Sequence, residues 1–329
     1  MRVALIGCGL IGNKRAAALN GHCLVAAADV ELHRAERLAA RHAGCRAFAD
    51  WREAIAEEVD LVIVSTTNNM LAEITLAAVQ SGKHVLVEKP GARHSAELEP
   101  VIAAATRAEV VVKVGFNHRF HPALLKAREI VNAGQLGRLM FIRARYGHGG
   151  RLGMEKEWRG NPALSGGGEM LDQGVHLIDL ARWFLGDFAQ VEGRVERFFW
   201  DWQVEDNGFA FLKNSGGQVA WLHASCTEWK NIFSFEIYGK TGKLHVEGLG
   251  GSYGIERLSF HQMLPEMGPP PTTIWEYPGE DLSWSREFAH FIDCIRGNQV
   301  PNGNLHDALA AMRIVQQLYD QRRDCNQKH

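Results

Sequence analysis

Apolar runs alternate with mixed polar segments through the first third of the chain. The apolar runs are short enough to be buried parallel strands, and they occupy 3–6, 24–28, 59–64, 84–87 and 110–114. The segments between them predict helices at 13–19, 31–42, 51–56, 71–81 and 94–107. Strands that alternate with helices predict a doubly wound parallel sheet of the Rossmann type, an α/β fold, over residues 1–120.

The pattern changes after Pro122. One helix runs to about Ala133, and the segments that follow are rich in β-branched and aromatic residues. These segments predict strands at 139–146, 190–199, 207–213, 218–225, 234–238 and 243–247, with closing helices at 284–296 and 305–321. The succession predicts a separate α+β domain over 121–329 with a mostly antiparallel open sheet.

A glycine-rich turn joins the first strand to the first helix. Gly7 allows a tight turn, Gly9 lets backbone N–H groups approach a pyrophosphate, and Gly12 lets the helix pack against the strand. Asp29 ends the second strand, 17 residues after Gly12, where a carboxylate accepts from a ribose 2′-hydroxyl and repels a 2′-phosphate. The pattern predicts dinucleotide binding with NAD favoured over NADP, a preference that Arg34 would weaken. The residues assigned to the turn are Gly7, Gly9, Leu10, Ile11 and Gly12.

Polar clusters follow three later strands at their carboxyl ends, where doubly wound sheets bind ligands. We assign these clusters to the cofactor, and their candidate residues are Thr66, Thr67, Asn68, Glu88, Lys89, Asn117 and Arg119. Pro90 favours an extended backbone at Lys89 and so fixes the direction of that side chain. Taken alone, Glu88 beside Lys89 is more typical of a surface salt bridge.

The segment Ser165–Asp179 combines a run of three glycines with titratable side chains. If the part after the glycines is helical, Asp172, His176 and Asp179 lie at i, i+4 and i+7 on one face. A buried histidine beside a carboxylate is suited to proton transfer near pH 7. A structural histidine capped by aspartate and a metal-binding pair are the alternatives. Spacing indicates no further ligand cluster, so we expect no metal.

Composition excludes several classes of protein. The net charge is −2, with 46% hydrophobic and 22% charged residues, which excludes a disordered chain, a fibrous protein and a nucleic-acid binder relying on bulk positive charge. The six cysteines form no C-x-x-C pair, so we expect free thiols in a reducing cytoplasm. No apolar run reaches membrane-span length, and the run before Cys8 is too short for a signal peptide.

Four motifs, in this order, resemble the Gfo/Idh/MocA oxidoreductases, the group of glucose–fructose oxidoreductase and inositol dehydrogenase. They are the glycine turn at 7–12, Glu88-Lys89-Pro90, the junction motif at 115–122 and the stretch Gly166–His176. The resemblance implies a nicotinamide cofactor and hydride transfer at a secondary alcohol of a sugar, sugar derivative or cyclitol. It implies that Lys89, Asp172 and His176 are catalytic. Leu71 and Thr67 depart from the histidine and proline of many members.

The resemblance also assigns Trp158 and Arg159 to the cofactor region, against the alternative of a packing tryptophan and a solvated arginine. The glycine-rich stretch 146–151 is either a contact for an anionic substrate group, such as a phosphate or carboxylate, or a flexible loop. Two other functions stay open: a glycosidase that uses NAD transiently, and a non-catalytic dinucleotide sensor.

The open sheet of the second domain predicts a homodimer or homotetramer, because an uncovered apolar face would be buried by association. Candidate residues for that face are Trp200, Trp202, Phe211 and Trp221.

Overall fold

The computed structural model describes residues 1–326, with side chains described through Gln321. The chain divides into two compact units. Unit 1 comprises Met1–Asn117, Ala163–Gly166 and Trp284–Leu309, and unit 2 comprises His118–Pro162, Gly167–Ser283 and the chain from Ala310. Two segments from the second half of the chain therefore belong with the N-terminal sheet.

Unit 1 is built on a six-stranded, all-parallel sheet in the order β3-β2-β1-β4-β5-β6. Its strands are β1 (Arg2–Ile6), β2 (Cys23–Ala28), β3 (Arg46–Phe48), β4 (Leu61–Val64), β5 (His84–Val87) and β6 (Val112–Val114). The helices between them are α1 (Leu10–Ala17), α2 (Leu32–Ala39), α3 (Trp51–Ala56), α4 (Asn68–Gln80) and α5 (Leu98–Ala108). The central strands are buried on both faces, which explains their continuous apolar sequence. The predicted doubly wound sheet is confirmed.

The strand order reverses between β1 and β4, and ligands bind at such a point in doubly wound sheets. The glycine turn follows β1 and Ser65 follows β4. The Ser65 hydroxyl donates to the Gly7 carbonyl oxygen at 2.8 Å, which ties the two strand ends together.

Unit 2 is built on an eight-stranded sheet in the order β14-β13-β12-β11-β7-β10-β9-β8, antiparallel except where β10 pairs with β7. Its strands are β7 (Leu139–Gly147), β8 (Phe188–Glu196), β9 (Asn207–Asn214), β10 (Val219–Ser225), β11 (Ile232–Gly239), β12 (Gly242–Glu247), β13 (Glu256–Gln262) and β14 (Thr272–Tyr277). The α+β architecture with a mostly antiparallel sheet is confirmed.

The remaining helices complete both units. They are α6 (Pro122–Asn132), the short α7 (Pro162–Ser165), α8 (Val175–Leu185), α9 (Ser283–Gly297) and α10 (Leu305–Asn326). A single turn of π-helix (Met170–Gly174), called the π-turn below, leads into α8. Helices α6 and α8 pack against strands of the large sheet. Alternating residues of its central strands are buried, as expected for a sheet with one covered face.

Three expectations for the second half were wrong. The strand expected at 190–199 ends at Glu196, because the N–H groups of residues 198–200 donate to the Asp206 carboxylate instead of to a neighbouring strand. The sheet continues past residue 247 through β13 and β14. Trp202 is buried in a separate cluster with Met154, against which Trp200 packs, so neither tryptophan belongs to the open sheet face. Phe211 and Trp221 do lie exposed on that sheet.

Among the described residues, no helix combines the length and apolarity that a membrane span requires. The five cysteines at positions 8, 23, 45, 226 and 294 are free thiols, and the side chain of Cys325 lies outside the described residues.

Candidate active site

The glycine turn of unit 1 is shaped by close approaches of the backbone. Gly7 has φ +92°, and a Cβ there would meet the Ser65 carbonyl group. A Cβ on Gly12 would overlap the carbonyl oxygen of Gly7. Gly9 is different, because nothing lies within 4 Å of the position its Cβ would take. The turn therefore leaves open space at Gly9, beside the first N–H groups of α1, and this arrangement fits a pyrophosphate.

Asp29 lies at the end of β2 and is held in place by two backbone donors. Its Oδ2 accepts the N–H of Cys8 at 2.7 Å and its Oδ1 accepts the N–H of Glu31 at 2.9 Å. Each carboxylate oxygen has a second acceptor position, so hydroxyls of an adenosine ribose can still donate to it. Burial raises the pKa of the neighbouring Cys8 thiol to about 12, so this sulfur stays protonated and uncharged.

The turn after β4 is fixed by its own polar side chains. Thr67 donates through its hydroxyl to Asn69 Oδ1 at 2.7 Å, and Asn68 donates through Nδ2 to the carbonyl of Ser165 at 2.8 Å. The Asn68 amide thus anchors the returning segment 163–166 within unit 1. Leu71, which departs from the histidine expected from the family resemblance, is fully buried. The cofactor roles of Thr66, Thr67 and Asn68 stay predictions.

Glu88 belongs to a buried network of two cations and two carboxylates, which the sequence did not reveal. Arg15 of α1 donates to Glu88 Oε1 at 2.6 Å through Nε and to Glu287 Oε2 at 2.6 Å through Nη1. Lys113 of β6 lies 3.3 Å from Glu287 Oε1. The interpretation of Glu88 and Lys89 as a surface salt bridge is therefore wrong for Glu88, whose ionic partner is the buried Arg15.

The network fixes the backbone immediately before Lys89. Burial raises the pKa of Glu88, and the charge of Arg15 opposes that rise. Gly115 is required beside the network, since a Cβ there would lie 2.6 Å from Arg15 Nη2. Lys89 follows Glu88 directly, and the Lys89–Pro90 peptide is cis. The end of β5 and the buried ion pairs thus fix the backbone position from which the Lys89 side chain extends.

In unit 2, two residues far away in sequence hold the glycine run that precedes Asp172 and His176. Glu205 accepts the N–H groups of Gly168 and Met170 at 3.0 and 3.1 Å and the Tyr319 hydroxyl at 2.7 Å. A Cβ on Gly167 would overlap the Tyr319 hydroxyl, which explains the glycine run. Burial raises the pKa of Glu205 to about 7.

The segment after the glycines is not one regular α-helix. Asp172 lies in the π-turn, and His176 lies in the first turn of α8. Asp179 accepts from Arg119 Nε at 2.7 Å and from Nη2 at 2.6 Å in a buried ion pair. A shared face for Asp172, His176 and Asp179 was expected only for a regular α-helix, and the π-turn interrupts that regularity between Asp172 and His176. The sequence contained Arg119 in the junction motif but gave no sign of this pairing.

His176 is buried against other rings of unit 2. The imidazole of His118 lies over it, with ring centroids 3.8 Å apart and planes inclined by 34°. Tyr146 approaches both imidazoles edge-on. Burial and the neighbouring Tyr253 raise the pKa of Tyr146, so its hydroxyl stays protonated. The rings fix the orientation of His176, and the sequence contains no local signal for this packing.

Asp172 lies within a set of charged groups that also includes Arg159. Arg159 Nε donates to Asp172 Oδ2 at 3.1 Å, and the Arg159 guanidinium lies over the ring of Trp158. His148 Nε2 lies 3.5 Å from the buried Glu169, and although burial opposes it, this carboxylate raises the pKa of His148. Unit 2 thus brings Trp158, Arg159 and Asp172 together, and adds His148 and Glu169.

Two family models match the chain. Residues 1–116 match the oxidoreductase family with an NAD-binding Rossmann fold, and residues 124–245 match the Gfo/Idh/MocA C-terminal domain. The chain belongs to the Gfo/Idh/MocA family. Its N-terminal domain is therefore an NAD-binding Rossmann domain of an oxidoreductase, as the glycine turn predicted.

Relatives of this Gfo/Idh/MocA chain are named as enzymes of sugar chemistry. It is 30% identical to 1,5-anhydro-D-fructose reductase of Ensifer adhaerens over 69% of this chain and 74% of that protein. It is 29% identical to levoglucosan dehydrogenase of Pseudarthrobacter phenanthrenivorans over 74% of this chain and 73% of the relative. A solved structure of levoglucosan dehydrogenase with NADH shares the fold, with a TM-score of 0.87 at 22% identity over 97% of both chains.

Proposed function

We propose that this protein is an NAD-dependent dehydrogenase or reductase that interconverts a secondary alcohol and a ketone on a sugar, sugar derivative or cyclitol. The observation that carries the proposal is His176, a buried imidazole packed against the rings of His118 and Tyr146 on the segment that also carries Asp172. A relative acts, by its name, on levoglucosan and another on 1,5-anhydro-D-fructose, and both are compact cyclic polyols.

In the oxidative direction, His176 accepts the hydroxyl proton of the substrate. Lys89 donates to the reacting oxygen and stabilises the negative charge that develops there. Asp172, restrained by Arg159, orients the substrate or His176. When bound, NAD would supply the hydride acceptor for the carbon that bears the hydroxyl. Gly9, the N-terminus of α1 and Asp29 would hold its pyrophosphate and adenosine ribose.

We expect no metal to be required, because Lys89 supplies positive charge at the reacting oxygen. Asp179 is bound to Arg119 rather than available as a third ligand beside Asp172 and His176. Turnover should survive prolonged EDTA treatment followed by gel filtration. Restoration of lost activity by zinc or manganese would contradict this expectation.

The test of the function is a screen of monosaccharides, anhydrosugars and inositols with NAD, followed at the NADH absorbance and by chromatography of the products. We expect NADH formation with one keto product per NADH. Hydrolysis without NADH would favour the glycosidase alternative, and binding without either change would favour the sensor.

We also propose a cytoplasmic homodimer or homotetramer joined through the open face of the large sheet. Phe211 and Trp221 are directly paired neighbours on β9 and β10, and 44% and 46% of their respective surfaces are exposed. An aromatic pair of this kind favours burial by a second copy. Light scattering should show an oligomer at micromolar concentration, and Trp221→Glu should weaken it. A monomeric parent protein would contradict the proposal.

A further inference from the structure

An exposed group of aromatic side chains in unit 2 has no part in the chemistry described above. Phe198, Phe199 and Trp229 have 67%, 59% and 63% of their surfaces exposed, and Trp200 is partly buried beside them. The ring of Phe199 lies 5.1 Å from that of Trp200 and 4.7 Å from that of Trp229. We call these four residues the aromatic cluster. Large exposed apolar groups with polar neighbours commonly mark binding surfaces.

The backbone beneath the cluster is held rigidly. The buried carboxylate of Asp206 accepts the N–H groups of Phe198, Phe199 and Trp200 at 2.9, 2.7 and 2.9 Å. Although burial opposes it, these and the Asn207 hydrogen bonds lower the pKa of Asp206, which keeps the carboxylate ionised. Trp200 Nε1 donates to the Cys226 carbonyl at 2.9 Å. The backbone that carries Phe198, Phe199 and Trp200 is therefore preformed, which lowers the entropic cost of binding a ligand there.

The cluster is continuous with the residues around Asp172. A Cβ on Gly150 would lie 2.5 Å from the Trp200 ring, and one on Gly149 would lie 3.1 Å from the Trp229 backbone. These glycines directly follow His148, which lies 3.5 Å from Glu169 on the segment leading to Asp172. Glu228 donates its N–H to the carbonyl of His148 at 3.0 Å, so both sides of the cluster are fixed to this loop.

The shape and surroundings of the cluster favour a sugar ring as its occupant. The Phe199 ring stands at 87° to Trp200 and at 80° to Trp229, so the cluster presents a corner rather than a flat face. A corner suits one small ring and is a poor match for a symmetric protein interface. The exposed polar residues Asp201 and Gln203 follow it in sequence and can bond hydroxyl groups, which a purely apolar group would not need.

We propose that the aromatic cluster binds a second sugar ring, joined by a glycosidic bond to the ring that is oxidised. The apolar C–H face of this second ring packs against Phe199 and Trp229. The substrate class is therefore a disaccharide or glycoside, a refinement that rests on the proposed function. The glycine-rich stretch 146–151, for which the sequence left a role open, is then the support of this subsite.

The experiment compares glucose with cellobiose, maltose and trehalose as substrates of the NAD-loaded enzyme. The variants are Phe199→Ala and Trp229→Asn, the latter because asparagine tolerates the left-handed backbone of Trp229, which has φ +53°. The matched control is Trp275→Ala on β14, an aromatic residue outside the cluster. We expect kcat/KM for the best disaccharide to fall about tenfold in both variants, with the value for glucose and the control unchanged.

A fluorescence titration of the same disaccharide separates this proposal from the proposed function, because it needs no turnover. If the disaccharide binds to the parent protein but not to Phe199→Ala, and no sugar gives NADH, the subsite is supported and the dehydrogenase function is contradicted. If NADH forms and the kcat/KM for the disaccharide is the same in the parent and the variants, the dehydrogenase function is supported and the subsite is contradicted. A Phe199→Ala protein that sediments as a smaller species than the parent would show that a second copy covers the cluster, and would overturn the subsite.

Discussion

The segments that carry Lys89 and His176 are held in their units by different means. Lys89 follows a parallel strand, and the residue before it joins Arg15 and Glu287 in a network of balanced charges. His176 follows a π-turn and is oriented by the ring of His118. Unit 1 therefore fixes its catalytic candidate through backbone direction and buried ion pairs, whereas unit 2 relies on ring packing and distant side chains.

This difference corresponds to two chemical tasks. A lysine that stabilises developing charge has to be held at a constant position with its proton retained. A histidine that accepts a proton has to change its charge during each turnover. Ring packing orients His176 without requiring a fixed charge on its imidazole, whereas a rigid ionic network would be disturbed when that charge changes.

The largest expected effect comes from removing either catalytic candidate. Lys89→Ala and His176→Ala should each lower kcat by about 10²–10⁴-fold, the usual contribution of a general acid–base or oxyanion-stabilising group. NADH affinity, measured by fluorescence titration, should stay near the parental value. Near-parental turnover in either variant would remove that residue from the mechanism.

The charge network of unit 1 is tested by Glu287→Gln, which keeps the shape of the side chain and leaves Arg15 and Lys113 without that compensating charge. Breaking a buried ion pair costs about 3–5 kcal/mol, and we expect a loss of that size in the free energy of urea unfolding. The control is Glu276→Gln, which removes the exposed partner of Arg257 and should cost less than about 1 kcal/mol. Equal losses of unfolding free energy in the two variants would show that the buried network stabilises unit 1 no more than an exposed ion pair does.

The ring packing of unit 2 is tested by replacing His118. His118→Phe retains a flat ring against His176, so kcat should change by less than about threefold, whereas His118→Ala should lower kcat about tenfold by misplacing the imidazole. KM for NAD should not move in either variant. If phenylalanine is as damaging as alanine, His118 acts through its nitrogens and not through its ring.

The smallest effect is expected at the ribose end of the cofactor site. Asp29→Ser should narrow the preference for NAD over NADP by about tenfold, since it removes the charge that repels a 2′-phosphate. Serine is shorter and uncharged, so it removes the repulsion without replacing both backbone hydrogen bonds of Asp29. Equal affinity of the parent protein for the two cofactors, measured by titration, would contradict the role of Asp29.

The two units also differ in what their sequence predicts. Buried parallel strands are continuous apolar runs, so five of the six strands of unit 1 and the glycine turn follow from short stretches of sequence. The short strand β3 (Arg46–Phe48) has no such run and was not predicted. The second partner of Arg15 does not follow in this way, because Glu287 lies in a helix near the end of the chain. No local pattern connects residues so far apart.

In unit 2, the sequence indicated the segment that carries Asp172 and His176 as a candidate site but did not predict its geometry. The π-turn at Met170–Gly174 has no periodicity that distinguishes it from an α-helix. Glu205 and Tyr319 reach the glycine run from distant elements. Strands β13 and β14 were missed since their exposed positions carry mixed polar residues and the loop between them is long. Tertiary packing decided each of these features.

The most direct test of the whole account follows a labelled hydrogen atom. A sugar or inositol found active in the screen is deuterated at the carbon that is oxidised, and the reduced cofactor is analysed by mass spectrometry. We predict one deuterium in NADH for each molecule of ketone formed by the parent, and strongly reduced transfer in His176→Ala. Substrate conversion with no deuterium in the recovered cofactor would contradict hydride transfer as the function of this protein.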